Sequence, residues 1–299
     1  MASSIEHPVL PRIRLARLTG LAYLGIILTG VFAEFVVRGS LIAAGDPIAT
    51  ATNVAGSPTW FRVGIGADVL MIVLDVVVAV GLYLLLRDVD RRLARVAMWL
   101  RLIQGTVIVV NLVNLVRALE LARQAAAVGG AIDAALAREA LDAVERHGLG
   151  YDVGLIAFAL SCLVVGHLLR KGRLVSRPLA LGLSAAGVVY LLGSFAALFA
   201  PGLSGVIEPL YVVPLVAELG LALRLAVRGG WRSHGATVAP VASARPLALV
   251  AVVAIGASAC TAAPAPDDVS CGDACATAYA ERGDHAVGIV TEAHGALAL

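Results

Sequence analysis

The sequence predicts an all-α membrane protein, a six-helix transmembrane bundle, and three observations lead to that prediction. The chain is 60% hydrophobic and 15% charged, whereas soluble domains are about 45–50% apolar and about 25% charged. Six continuous apolar runs reach the roughly 20 residues that span a hydrocarbon core of about 30 Å. The runs lack the alternating polarity of barrel strands, and backbone groups in lipid must pair within their own segment, so we expect helices.

The six spans are predicted to form one domain, residues 1–235. We place them at residues 18–37, 63–86, 96–116, 152–170, 178–200 and 206–227. Residues 236–299 form a C-terminal extension with an apolar segment at 246–263. That segment predicts either a seventh transmembrane helix or a helix that resembles a lipoprotein signal.

Arginine and lysine side chains predict the orientation, because cytoplasmic loops carry an excess of cations. Alternate connections carry these residues: Arg12, Arg14 and Arg17; Arg87, Arg91, Arg92 and Arg95; Arg170, Lys171, Arg173 and Arg177; Arg228, Arg232 and Arg245. We therefore expect a cytoplasmic N-terminus in a bacterial plasma membrane, with the lipid bilayer as partner. The net charge of +2 is too small to indicate a nucleic-acid partner.

Two connections are predicted to contain helices of their own. Asp46 followed by Pro47 is typical of a helix start, and a short helix should run to about Gly56. In the loop of residues 117–150, apolar residues recur every four positions: Ile132, Leu136, Ala140 and Val144. This spacing predicts an amphipathic helix ending at Gly148, which either lies on the outer membrane surface or is a solvated loop helix without contacts.

Polar side chains inside the spans are the candidate functional residues, because charges in a bilayer are costly and usually have partners. Asp68 and Asp75 lie seven residues apart and so share one face of the second span. A matching stripe on the third span consists of Arg101, Gln104, Asn111 and Asn114. If the two spans are antiparallel neighbours, Asp75 meets Gln104, and Asp68 meets the two asparagines. Arg101 either reaches Asp75 or extends to the cytoplasmic surface.

Other acidic residues are expected near the outer ends of their helices: Glu34, Asp152 and Glu208, with Glu218 in the last span. One hypothesis is a polar cavity that is open to the outside and binds or passes a small polar or cationic solute. The alternative is a structural protein whose buried polar residues only hold the bundle together, while the 117–150 helix contacts a protein partner. His167 is either an interfacial residue or a ligand, and Pro209 and Pro214 predict a kink.

No pattern in the sequence indicates catalysis. It contains no phosphate-binding G-x-x-x-x-G-K-[ST] loop, no G-x-S-x-G nucleophile motif and no cluster of histidine, cysteine and aspartate at metal-ligand spacing. We therefore expect a protein that is not an enzyme and that has no cofactor.

Short motifs follow one another along the six spans: ARLTGLAYL at 16–24, FAEFVVR at 32–38, GADVL at 66–70, GYDVGL at 150–155, YLLGSF at 190–195 and AELGL at 217–221. Their order resembles the bacterial membrane family called domain of unknown function 4386, over roughly residues 10–230. The resemblance implies a six-helix inner-membrane protein and no particular reaction. It also places Glu34, Asp68, Asp152 and Glu218 at motif positions.

The C-terminal extension carries a separate signal. Small residues before Cys260 resemble a lipobox, which predicts lipidation of that cysteine. One alternative is a plain seventh helix in which the cysteine occurs by chance. Another is that the extension results from a gene fusion or a misplaced stop codon. Cys271 and Cys275 are expected on the outer side, where a disulfide between them could persist.

Overall fold

The computed structural model describes residues 9–127 and 130–228 of the chain. Within these residues the secondary structure is helical, with no β-strand, and six helices are long and apolar enough to cross a membrane. The predicted six-helix transmembrane bundle is therefore confirmed. The apolar segment at 246–263, Cys260, Cys271 and Cys275 lie outside the described residues.

The helices are numbered here in chain order. The α-helices are α1 (Val9–Val31), α2 (Gly39–Leu41), α3 (Pro47–Gly56), α4 (Pro58–Leu86), α5 (Arg91–Ala127), α6 (Ala134–Lys171), α7 (Arg177–Phe199), α8 (Ser204–Ile207) and α9 (Val212–Leu223). Wider π-helical turns extend α1 through Phe32–Arg38 and α9 through Arg224–Arg228. Tighter 3-10 turns at Pro201–Leu203 and Glu208–Tyr211 lead into α9. The six spans are α1, α4, α5, α6, α7 and the stretch that ends in α9.

The six spans form a closed ring. Each span packs against the next one along the chain, and α9 and its π-helical turns close the ring against α1. The closure requires a small residue, because a Cβ atom on Gly20 of α1 would lie 2.3 Å from the Ala226 backbone nitrogen. We call the end with α3 and the α5–α6 connection the hairpin end. The opposite end, where α1, α5 and α7 begin, is the arginine end.

The connection between α5 and α6 differs from the prediction. Neither a surface-lying helix nor an isolated loop helix forms at residues 117–150. The two helices instead continue as a packed hairpin, and α6 runs through Gly148 to Lys171. Each helix is about 55 Å long at 1.5 Å per residue, so the hairpin extends well beyond a core of about 30 Å.

Small buried residues explain why the hairpin packs. Ala118, Ala122 and Ala125 of α5 and Ala137, Ala140 and Ala143 of α6 belong to one apolar cluster. Helix α3 packs on the same hairpin through Ala51 and Val54. Its predicted start is confirmed, because Asp46 Oδ1 accepts a hydrogen bond from the Ala49 backbone nitrogen at 2.9 Å.

Ion pairs join the connections at the arginine end. Arg12 of α1 donates to Asp88 at 2.9 Å and to the Leu85 carbonyl oxygen at 3.2 Å. Asp90 lies just before α5 and accepts from the Leu93 backbone nitrogen at 3.2 Å and from Lys171 Nζ at 3.1 Å. The backbone hydrogen bond from Leu93, together with the Lys171 ammonium, lowers the pKa of Asp90.

Candidate functional site

Six side chains, one from each span, meet inside the bundle. This central cluster consists of Tyr23 from α1, Asp75 from α4, Arg101 from α5, Phe158 from α6, Tyr190 from α7 and Glu218 from α9. Tyr190 is half-buried and the other five are buried. Hydrogen bonds, ring contacts and an ion pair link them into a closed network, so the cluster depends on the whole bundle.

Arg101 is the cation of the central cluster and is 2% exposed. Its Nη2 donates to Asp75 Oδ1, which forms an ion pair between α5 and α4. The guanidinium carbon lies 5.1 Å from the centroid of the Tyr23 ring and 4.7 Å from that of Phe158. Aromatic faces attract cations at such distances. Of the two positions that the sequence left open for Arg101, the structure has the pair with Asp75.

Glu218 is the second carboxylate of the central cluster, and its hydrogen-bond donors are neutral. Oε2 accepts from the Tyr23 hydroxyl at 3.0 Å, and Oε1 accepts from the Tyr190 hydroxyl at 2.6 Å. The other buried carboxylates of the described residues, Asp68 and Asp75, each pair with an arginine. Glu218 forms no ion pair with any described residue.

Three buried side-chain atoms of the described residues have no hydrogen-bond partner: Arg101 Nε, Gln104 Oε1 and Ser194 Oγ. Gln104 follows Arg101 by one turn of α5, and Ser194 follows Tyr190 by one turn of α7, so each lies on the same helix face as a cluster residue. More than about 90% of buried polar groups are normally hydrogen-bonded. These atoms therefore give the cluster unused capacity to bind a polar group.

The arginine-end side of the central cluster is apolar and tightly packed. Leu82, Ala97 and Val165 are buried there and line a cleft beside Arg101 that has no room for a water molecule. Leu86 and Ser161 complete this wall, and Ser161 Oγ is already bonded to the Ala97 carbonyl oxygen at 2.9 Å. This packing separates Arg101 from the arginine end.

A second polar group, the hairpin-end cluster, lies closer to the hairpin end and consists of Glu34, Arg38, Asp68, Asn111, Asn114 and His147. Arg38 binds Asp68 through two hydrogen bonds, Nη1 to Oδ2 at 2.6 Å and Nη2 to Oδ1 at 3.2 Å. Its Nε donates to Glu34 Oε2 at 2.7 Å. Asp68 is buried, whereas the Glu34 side chain is 61% exposed. The sequence had suggested the two asparagines as partners of Asp68. In the structure its partner is Arg38 instead.

The asparagines of the hairpin-end cluster contact α6 instead. Asn111 Nδ2 donates to the His147 carbonyl oxygen at 2.7 Å and lies 3.1 Å from His147 Nδ1. Asn114 Nδ2 donates to Asn111 Oδ1 at 2.9 Å. Gly150 makes room for Asn111, because a Cβ atom there would lie 2.3 Å from Asn111 Oδ1. These bonds hold α5 against α6.

The remaining candidates do not join either cluster. Asp152 is half-buried in α6 and Glu208 is exposed before α9. Neither forms an ion pair within the part of the chain that the structure describes. Glu34 and Asp68 contact Arg38, whereas Asp152 and Glu208 lie near Tyr211. His167 is exposed on α6, a position typical of an interfacial residue.

Five residues of these clusters were not predicted from the sequence. Arg38 was placed just past the end of the first span, although its position four residues after Glu34 predicts a pair on one helix face. Tyr23, Phe158 and Tyr190 carry no charge, so a search for charged groups passes over them. His147 was assigned to a loop, and no feature of the sequence brings it to Asn111.

The comparisons with known proteins bear on the same part of the chain. No curated relative and no solved structure matches the chain. The profile of the family described as "Domain of unknown function (DUF4386)" matches residues 18–229. That range contains most of α1, the other five spans in full and both polar clusters, and it covers more than half of the sequence. The chain therefore belongs to the DUF4386 family of multi-pass membrane proteins.

Proposed function

We propose that this protein is not an enzyme and that its central cluster binds a positively charged solute or a proton at Glu218. One observation carries the proposal. Glu218 is buried among the six spans with two neutral phenols as hydrogen-bond donors and no cation of the described residues paired to it. A positively charged partner would remove the uncompensated charge.

The magnitude of the charge penalty supports this choice of site. A charged side chain at the centre of a bilayer costs at least about 2.5–3.5 kcal/mol. Asp75 and Asp68 offset that cost through Arg101 and Arg38, respectively. Glu218 accepts hydrogen bonds from Tyr23 and Tyr190, which orient its two oxygens without neutralising them. Arg101 lies within its electrostatic reach, but that cation is already paired with Asp75. The solute site is accordingly proposed at Glu218 rather than among the acidic residues of the hairpin end.

A second function, a purely structural role, is supported by the pairing of the other polar residues. Asp68, Asp75, Asn111 and Asn114 each have a partner, as expected of groups that hold helices together. Under this alternative, Glu218 only links α1, α7 and α9 through its two phenols. The two functions differ in whether Glu218 exchanges a proton or a cation.

Replacement of Glu218 by Gln separates the two functions. Gln keeps the size and one acceptor, and a phenol oxygen can accept from its amide. If Glu218 binds a proton, infrared spectra of the detergent-solubilised wild-type protein should contain a carboxylic-acid band that Glu218→Gln removes. If it binds a cation, the wild-type Tm should rise with added sodium, potassium or tetramethylammonium chloride, and Glu218→Gln should abolish this rise.

Glu139→Gln is the matched control, because Glu139 is exposed on α6 and lies far along the helix from the cluster. It should leave both the infrared band and the cation-dependent Tm unchanged. If wild type and Glu218→Gln have the same infrared spectra in the carboxylic-acid region and the same Tm response to all three cations, the structural role is correct and the proposal is wrong.

The orientation of the bundle is part of the same proposal. The concentration of cations in the loops of one end supports an arginine end in the cytoplasm and a hairpin end outside a bacterial plasma membrane. In a variant without native cysteines, an impermeant thiol reagent applied to whole cells should label Ala131→Cys and spare Arg92→Cys. Labelling of position 92 without position 131 would reverse the orientation.

A further inference from the structure

We infer that the solute bound at Glu218 is a small organic ammonium ion, which reaches the carboxylate from the hairpin end along a column of aromatic rings. This inference rests on the proposed function and names the class of ligand for its site. The aromatic column consists of Tyr211, Tyr190 and Phe158. Their ring centroids are separated by 5.7 Å between Tyr211 and Tyr190 and by 5.4 Å between Tyr190 and Phe158.

The inner end of the aromatic column offers the two groups that an ammonium ion needs, a carboxylate and the face of an aromatic ring. Tyr190 donates to Glu218, the counter-ion, at 2.6 Å. Phe158 lies under the guanidinium of Arg101 at 4.7 Å, so this ring already holds an organic cation of the chain itself. Faces of aromatic rings next to a carboxylate are the usual surroundings of quaternary ammonium ligands. Alkali cations prefer sets of several oxygen ligands, whereas the faces of the rings offer π-electron density, which suits an organic cation.

The opposite end of the aromatic column has acidic residues around it. Tyr211 lies within electrostatic reach of Asp152 and of Glu208. Asp152 is half-buried and free of any ion pair with the described residues, and Glu208 is exposed. Negative charge at the mouth of a narrow path raises the local concentration of cations. The apolar wall beside Arg101 lies on the arginine-end side of the central cluster, whereas the aromatic column runs from Glu218 towards the hairpin end.

Local structure along the column provides a polar contact and room for the Tyr211 side chain. Ser194 is fully buried, its Oγ has no hydrogen-bond partner, and it lies one turn from Tyr190 towards the hairpin end on the same face of α7. Tyr211 is the last residue of the 3-10 turn Glu208–Tyr211, and Pro209 within this turn and Pro214 after it interrupt regular helical bonding. Gly193 admits the Tyr211 hydroxyl, because a Cβ atom there would lie 2.1 Å from it.

The test is equilibrium binding of radiolabelled tetramethylammonium to the full-length protein in detergent. Wild type should bind saturably, and Glu218→Gln should not bind. Tyr211→Leu should weaken binding about 10-fold or more, because it removes one aromatic face from a desolvated path, while Tyr211→Phe should stay within about 3-fold. Phe195→Leu is the matched control, since that ring is exposed on α7 and contacts Phe199 outside the column.

Three outcomes would overturn the inference. The first is that wild type does not bind tetramethylammonium saturably, and the second is that Tyr211→Leu binds it as tightly as wild type. The third is that Tyr211→Phe loses as much affinity as Tyr211→Leu, which would assign the effect to the hydroxyl. The proposed function fails separately. If tetramethylammonium does not bind but the infrared band or a stabilisation by sodium or potassium depends on Glu218, the site exists and its ligand is a proton or an alkali cation.

Discussion

Arg101→Leu is expected to lower the free energy of unfolding by about 3–5 kcal/mol, the range for breaking a buried ion pair by removing one partner. The change leaves the buried Asp75 without its counter-charge, and it removes the guanidinium from the faces of Tyr23 and Phe158. The measurement is unfolding of the purified protein by SDS titration in mixed micelles. Asp75→Leu should have an effect of similar size, because it leaves Arg101 without its carboxylate.

The double variant Asp75→Leu/Arg101→Leu should cost less than the sum of the single changes. Two apolar residues of similar volume remove both charges, and replacement of a buried pair is often neutral. The matched control is the exposed ion pair of Arg117 on α5 with Glu139 on α6, whose nitrogen and oxygen atoms lie 3.9 Å apart. Its coupling should not exceed about 1 kcal/mol. Strictly additive effects of Asp75→Leu and Arg101→Leu would mean that the two residues do not interact.

The pairing of Asp75 with Arg101 shows which parts of the site a sequence can predict. Two polar stripes with helical spacing on spans joined by a short loop have to face each other, because exposure to lipid is costly on both sides. Spacing therefore identified the right faces of α4 and α5. It did not identify register, and so Asp68 was assigned to Asn111 although its partner comes from α1.

Arg38 and the α5–α6 hairpin were missed for physical reasons. The predicted first span ended just before Arg38, yet α1 continues through π-helical turns that carry Arg38 inwards to Asp68. The charges at residues 117–150 likewise ended two predicted spans. They lie on helices whose packed side is rich in alanine, and alanine gives too weak a hydropathy signal to reveal close helix packing.

The six spans were predictable because the bilayer imposes length and composition on them. The convergence of the central cluster was not, since it depends on how six faces are rotated about their axes. Tyr23, Phe158 and Tyr190 are ordinary apolar-span residues until Glu218 and Arg101 lie beside them. A sequence shows ionisable groups, but it does not show which of them remain without a counter-charge.

Arg38→Leu is expected to cost about 3–5 kcal/mol of unfolding free energy, because Asp68 is buried and would lose both hydrogen bonds and its only cation among the described residues. Arg38→Lys should restore part of the stability, since an ammonium pairs with one carboxylate oxygen but lacks the planar two-point geometry. SDS titration of the purified protein measures both changes. Glu34→Gln is the control and should cost no more than about 1 kcal/mol, because the Glu34 side chain is 61% exposed.

The apolar double variant Arg38→Leu/Asp68→Leu extends this prediction to function. It should be more stable than Arg38→Leu, because no unpaired charge remains in the bundle. Since the hairpin-end cluster is proposed to hold helices and the central cluster to hold the solute, the double variant should also keep the Glu218-dependent infrared band and cation response of wild type. A stable double variant that has lost them would assign Asp68 to the solute site. A Glu34→Gln effect as large as that of Arg38→Leu would instead make the exposed carboxylate, and not the buried one, the partner that holds Arg38.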